Sequence, residues 1–163
     1  MFKIKLLTLL FLSFLISSCA PNIQQSQIQY SVGYIEGELD GLNISNILIQ
    51  NMKLINLYDK NSPYKIETQF THEQSLYIIN IDKTSDREKI TTNIYFKIID
   101  EQKNCILYDN KFQISQFYIF ADSNKFLSNK AALDKIKYQN SEYIIKKLLS
   151  QLANNKLDCD LNG

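Results

Sequence analysis

Ile90-Thr-Thr-Asn-Ile-Tyr-Phe-Lys-Ile98 alternates without interruption. Successive strand residues point to opposite faces, so Ile90, Thr92, Ile94, Phe96 and Ile98 share one side, and Thr91, Asn93, Tyr95 and Lys97 the other. A strand apolar on one side and polar on the other belongs to a sheet covered on one face only. The flanks continue the pattern. Upstream, Tyr64, Ile66, Thr68 and Phe70 alternate with Lys65, Glu67 and Gln69, predicting a strand from Tyr64 to about Ile81 with a bulge or kink near His72-Glu-Gln74. Asp82-Lys-Thr-Ser-Asp86 reads as a turn. Downstream, Asp100-Glu-Gln-Lys-Asn104 reads as a hairpin turn into a third strand, with Ile106, Tyr108, Phe112 and Ile114 on one face, reaching about Ile119.

Helical spacing brackets this meander. Over Leu42–Tyr58, Ile44, Ile47, Leu48, Ile55 and Tyr58 form one stripe opposite Asn46, Gln50 and Lys53. Asp40 or Asn43 can cap its start, and Pro63 enforces its end. After the polar Ala121–Lys125 stretch, Leu133, Ile136, Ile144, Leu148 and Leu152, helped by Ala132 and Ile145, define a long second helix, with lysines towards its C-terminus. Ahead of everything, Ile28, Tyr30, Val32 and Tyr34 alternate as a first strand that ends between Gly37 and Gly41. The order β-α-β-β-β-α predicts an α+β two-layer sandwich, two helices on one face of a four-stranded, mostly antiparallel sheet. The domain spans residues 28–153, and residues 154–163 form a polar, fraying tail.

The N-terminus carries a different message. Lys3 and Lys5 precede an apolar run, Leu6–Ile16, too short to span a bilayer, and Ile16-Ser-Ser-Cys19 closes it. Small residues before a cysteine let a peptidase reach the bond, and the thiol can take a diacylglycerol as a thioether. Residues 1–18 therefore read as a lipoprotein signal peptide. Cys19 reads as the lipidated first residue of the mature chain, and residues 19–27 as a short tether to the membrane. Ala20, unlike an aspartate there, permits sorting to the outer membrane.

Composition narrows the function. Removing residues 1–18 takes away two of the 18 basic residues, leaving 16 against 17 acidic, a net charge of −1 that gives no field for nucleic acid. The sequence holds one histidine, His72, which reads as a surface residue. It has no metal-binding His-Glu-x-x-His helix, nucleophile elbow, phosphate loop or paired-cysteine zinc motif, and Asp82–Asp86 lacks the glycine of a calcium loop. No enzyme, cofactor or metal site is expected. With Cys19 committed to lipid, Cys105 and Cys159 remain for either one disulfide or two free thiols. Lys83, Arg87 and Lys89 cluster around the turn, and Lys125 and Lys130 precede the last helix; they form either a solvated rim or a contact for an anionic ligand. Arg87 is the sole arginine, and its planar fork suits phosphate.

Thr84-Ser-Asp-Arg87, the alternating Ile90–Ile98, the short Asp100–Asn104 turn, Phe112–Tyr118, Asp122-Ser-Asn124 and Ala131-Ala-Leu-Asp134 follow one another as in a known family. The chain resembles the alphaproteobacterial form of the lipopolysaccharide-assembly lipoprotein (LptE). Residues 28–60 match its first strand and helix by pattern. Cys19-Ala-Pro-Asn22 stands where the family often has Cys-Gly-Phe-x-Pro-Leu-Tyr. The resemblance implies an outer-membrane, lipid-anchored, periplasm-facing protein that plugs and supports a β-barrel partner and binds lipopolysaccharide, with Arg87 and Lys125 as ligand contacts. Two other readings remain: an accessory lipoprotein of an ABC-type lipid transporter, or a lipid-anchored activator of a periplasmic enzyme.

Overall fold

The computed structural model describes residues 28–78, 86–119, 126–154, 157 and 159. The elements run β1 (Ser31–Val32), α1 (Glu38–Leu54), β2 (Tyr64–Ile78), β3 (Asp86–Asp100), β4 (Cys105–Ile119) and α2 (Phe126–Asn154). They form one sheet in the order β1-β2-β3-β4, parallel between β1 and β2 and antiparallel elsewhere. Both helices lie on the face that carries Ile94, Phe96 and Ile98, giving the two-layer α+β sandwich.

The core collects where both helices meet the sheet. Ile66, Ile94, Phe96 and Ile98 from the strands meet Ile44, Leu48 and Met52 of α1 and Ile144, Ile145 and Leu148 of α2, all buried. Phe96 and Phe112 pack edge to face, centroids 6.0 Å apart. Tyr30 closes the end near β1, hydrogen-bonding through its backbone to Leu57 and Asp59, and burial next to Tyr64 pushes its phenol up to about 12.

Several boundaries differ from the sequence-based expectation. β1 pairs for two residues only, Ser31 with Lys65 and Val32 with Ile66, before the chain leaves the sheet. The alternation therefore slips: Tyr34 is 88% exposed and Ile35 is buried instead. α1 starts four residues early. Gly37, at φ 115°, forms its N-cap without any side-chain cap, and Asp40 sits in the first turn rather than capping it. α1 also ends before Pro63. Asn56 adopts φ 58°, its N–H bonds Lys53 O, and the Leu57 N–H returns to Met52 O at 2.9 Å. That pair of bonds is a Schellman motif with asparagine in the left-handed position. Ile55 is consequently exposed, and Tyr58 lies beyond the helix.

β2 is continuous through His72, with Gln74 opposite Ile90, so the expected kink is absent. The irregularity falls between Ile98 and Ile99, where Ile98 pairs with Tyr108 and Ile99 with Ile106. The extra residue, Leu107, packs against the core and Ile106 is left exposed. The β3–β4 turn is as expected: Asp100 Oδ1 accepts from the N–H groups of Gln102 and Lys103, and Asn104 takes φ 51°. The last turn of α2 holds no lysine, the lysines expected near its C-terminus lying further back along the helix. The tail is not loose at Leu157, which packs on the core, nor at Cys159, which is disulfide-bonded to Cys105 with Cα atoms 5.8 Å apart. The predicted turn at residues 82–85 lies outside the described residues.

Gly41 marks the tightest approach of α1. A Cβ there would come within 2.6 Å of Glu36 O and 2.7 Å of Ile35 O. Backbone carbonyls cannot swing aside as a side chain can. Gly41→Ala gains about 1 kcal/mol of helix propensity and loses about 1–3 to overpacking. We expect a net lowering of stability, read as a reduced urea midpoint; an unchanged or raised midpoint would show that the helix start can move.

Candidate functional site

Both helices pack on one face of the sheet, and among the described residues nothing covers the other. It presents Lys65, Glu67, Gln69 and Thr71 from β2, Thr91, Asn93, Tyr95 and Lys97 from β3, and Asp109, Lys111, Gln113 and Ser115 from β4. The face is cross-linked by polar bonds between neighbouring strands. Thr91 Oγ1 and Ser115 Oγ lie 2.9 Å apart, Asn93 Nδ2 donates to Thr71 Oγ1 and Glu73 Oε1 at 3.2 Å each, and the Tyr95 hydroxyl donates to Asp109. The Asp109 carboxylate raises the Tyr95 phenol above its ordinary value. These ladders hold the side chains flat, which explains how Thr91 and Asn93 are buried on an uncovered face. A shallow groove of about 830 Å³ runs over this face, from Gly33, Tyr34 and Glu36 past Glu67 and Gln69 to Tyr95 and Lys111.

A second polar cluster lies under the helices. Asn140 Nδ2 donates to Thr92 Oγ1 at 3.1 Å, and His72 Nδ1 lies 2.9 Å from the same oxygen. The Thr92 hydroxyl can donate to an unprotonated Nδ1 or accept from an Nδ1–H, according to the His72 tautomer. Burial lowers the His72 pKa, with Asp40 opposing and Lys137 adding to the effect. His72 is thus half-buried and partnered, not the surface residue that a lone histidine in a strand break suggested. Beside it, Asp40 and Lys137 pair at 3.4 Å across the two helices, at the rim of a pocket of about 250 Å³.

The lowered pKa has a signed consequence. A histidine harder to protonate when folded stabilises the fold above its unfolded pKa, near 6.5, and that contribution is lost as pH falls through the folded value. The melting temperature should fall from pH 7 to pH 5 more steeply in the native chain than in His72→Gln. Equal slopes would remove His72 as the cause.

The sequence-predicted residues are scattered. Cys19 and Lys125 lie outside the described residues. Arg87 is exposed near the start of β3, opposite Tyr77 and Ile119 in the ladder, far from the disulfide end. Asp100, Cys105 and Cys159 bring ligand-type atoms within 4.8 Å of one another, but the two sulfurs are bonded together and offer no thiolate. Among the described residues no helix is long and apolar enough to cross a membrane. The polar ladders were half visible in advance. Alternation placed Thr91, Asn93 and Tyr95 on one face, while their cross-strand partners depend on a register that the sequence does not state.

No protein-family model matches the sequence, and no curated protein matches it. Solved structures do share the fold. A minor lipoprotein from Acinetobacter baumannii aligns over 83% of this chain and 99% of its own, at 13% identity and a TM-score of 0.61. Rare lipoprotein B from Shewanella oneidensis aligns over 78% and 94%, at 12% identity and a TM-score of 0.60. Lipoprotein B from Nitrosomonas europaea aligns over 82% and 90%, at 15% identity and a TM-score of 0.51. The architecture derived from alternation and helical spacing is one that bacterial lipoproteins use.

Proposed function

We propose that this chain is a lipid-anchored, non-enzymatic subunit of the lipopolysaccharide-assembly translocon. In this reading it is held at the outer membrane through Cys19, supports and plugs a β-barrel partner, and contacts lipopolysaccharide in transit. The observation that carries the reading is the bare sheet face, polar from β2 to β4 and stiffened by its ladders. Barrel lumens are lined by polar side chains, so a plug needs a rigid polar surface and not an apolar one. Kinship of fold with bacterial lipoproteins and the lipobox at Ile16–Cys19 support the same placement. Arg87, exposed at the end of the sheet away from the disulfide, is available to phosphate groups.

Affinity purification of the tagged full chain in mild detergent tests the proposal. A large β-barrel protein should copurify, and Arg87→Glu should reduce the lipopolysaccharide recovered with it. Recovery of inner-membrane ATPase components, or of a periplasmic synthase, would replace this reading with one of its competitors.

A further inference from the structure

The edge of β2 is open over half its length. Gly33 N–H donates to Ile66 O at 2.9 Å, so Ile66 turns its backbone groups towards β1. Strand residues alternate in this respect, and the even-numbered residues beyond Ile66 therefore turn theirs the same way. β1 ends at Val32, and the chain departs through Gly33 and Tyr34. Thr68 is still covered, 6% exposed, but Phe70, His72, Gln74 and Leu76 direct N–H and C=O groups into a lane that no element enters among the described residues.

The two edges of the sheet are treated differently. β4 carries Asp109 and Lys111 on its rim and a register shift near its start, which are common defences against strand addition. The open stretch of β2 has one charge, Glu73, no proline and no register shift. Its chemistry is two-sided. Towards the helix layer it offers Phe70, His72 and Leu76, the last 69% exposed. Towards the bare face it offers the carboxylates of Glu67 and Glu73, the latter accepting one bond from Asn93 Nδ2, with Glu36 across the groove; of the groove's two lysines, Lys65 is paired with Glu101 at 3.2 Å and Lys111 lies at its β4 side.

We propose that β2 accepts, along Phe70–Leu76, an extended segment of a partner protein whose residues alternate basic and apolar. Its backbone extends the sheet by one strand, its apolar residues meet Phe70 and Leu76, and its basic residues meet Glu36, Glu67 and Glu73. Main-chain bonds supply affinity in this mode, and the alternating side chains supply selectivity. The proposal goes beyond the translocon reading and stands without it.

The test uses the full chain in detergent micelles and a blocked peptide of alternating lysine and valine long enough to span Phe70–Leu76. Saturating peptide should slow amide exchange at Phe70, His72, Gln74 and Leu76 by about tenfold or more, as hydrogen-bonded edge amides become protected. A glutamate-valine peptide should not do so, nor should the lysine-valine peptide N-methylated at alternate residues. Gln74→Pro removes an N–H that points into the lane and spares the ladder to β3, so it should abolish binding; it also takes the Gln74 Nε2 bond from the buried Glu88 carboxylate, so its melting temperature should fall and binding is compared below that temperature. Should that variant unfold, Glu73→Lys provides the second test and should weaken binding of the lysine peptide. Equal binding of the N-methylated peptide, protection at Asp109 and Lys111 instead, or no protection at all would each overturn the proposal. Protection that appears on raising the protein concentration alone, with a doubling of mass, would give the lane to a second copy and also overturn it.

Discussion

Phe96→Ala should remove about 3–5 kcal/mol of stability, the range for deleting a buried phenylalanine ring. Phe96 has no exposed surface, packs edge to face on Phe112, and occupies the centre of β3 between Thr68 and Asn110. Its neighbours belong to a sheet flanked by two helices and cannot close over the void without bending β3. A domain of this size has about 5–15 kcal/mol in total, so one substitution takes a large share. Urea unfolding measures it, with Phe96→Leu as control; keeping most of the volume, that variant should lose about 1.5 kcal/mol or less. A loss from Phe96→Ala below about 1.5 kcal/mol would mean that the core has collapsed around the site.

Opening the Cys105–Cys159 bond should have the next largest effect. The bond joins residues 54 apart, and closing a loop of that length restricts the unfolded chain by about 4 kcal/mol in the chain-entropy account. It also holds Leu157 on the core. The double variant Cys105→Ser/Cys159→Ser should lose about 2–4 kcal/mol, visible as a melting temperature lower by about 10 °C. Reducing agent should lower the native chain to the same value and leave the variant unmoved. A native chain insensitive to reductant would show that the bond contributes nothing to stability.

Local signals carried most of the fold. Strict alternation in Ile90–Ile98 located β3 and its faces, the polar run Asp100–Asn104 located the hairpin, and the Ile44–Ile47–Leu48 stripe located α1. Two of the misplacements involve partners distant in sequence, and the end of α1 is a local one. β1 is cut to two residues because its lane beside β2 ends at Gly33. Asn56 stopped α1 through a left-handed residue, while Pro63 drew attention as the stronger breaker. The register shift at Ile98/Ile99 exchanged Ile106 for Leu107 in the core, an event that alternation alone reads backwards.

The candidate site was less legible. Thr92 and Asn140 read as ordinary strand and helix positions, yet these two buried residues join the half-buried His72 in a hydrogen-bonded set, because a polar layer is recognisable only when its members are side by side. Arg87 stood out by composition, and the structure places it exposed at one end of β3.

The parallel pairing of Ser31 with Lys65 brings the chain in at the same end as the Asp100–Cys105 turn. From there β2 runs to Tyr77, opposite Arg87, a span of about 40 Å at about 3.3 Å per strand residue. The sheet therefore has two well-separated ends, the Asp100–Cys105 turn at one and Arg87 at the other, and acts as a ruler between them. Whatever Arg87 meets is held at a distance from the Asp100–Cys105 turn set by strand length, so shortening β2 and β3 together would reduce that distance in steps of one residue pair.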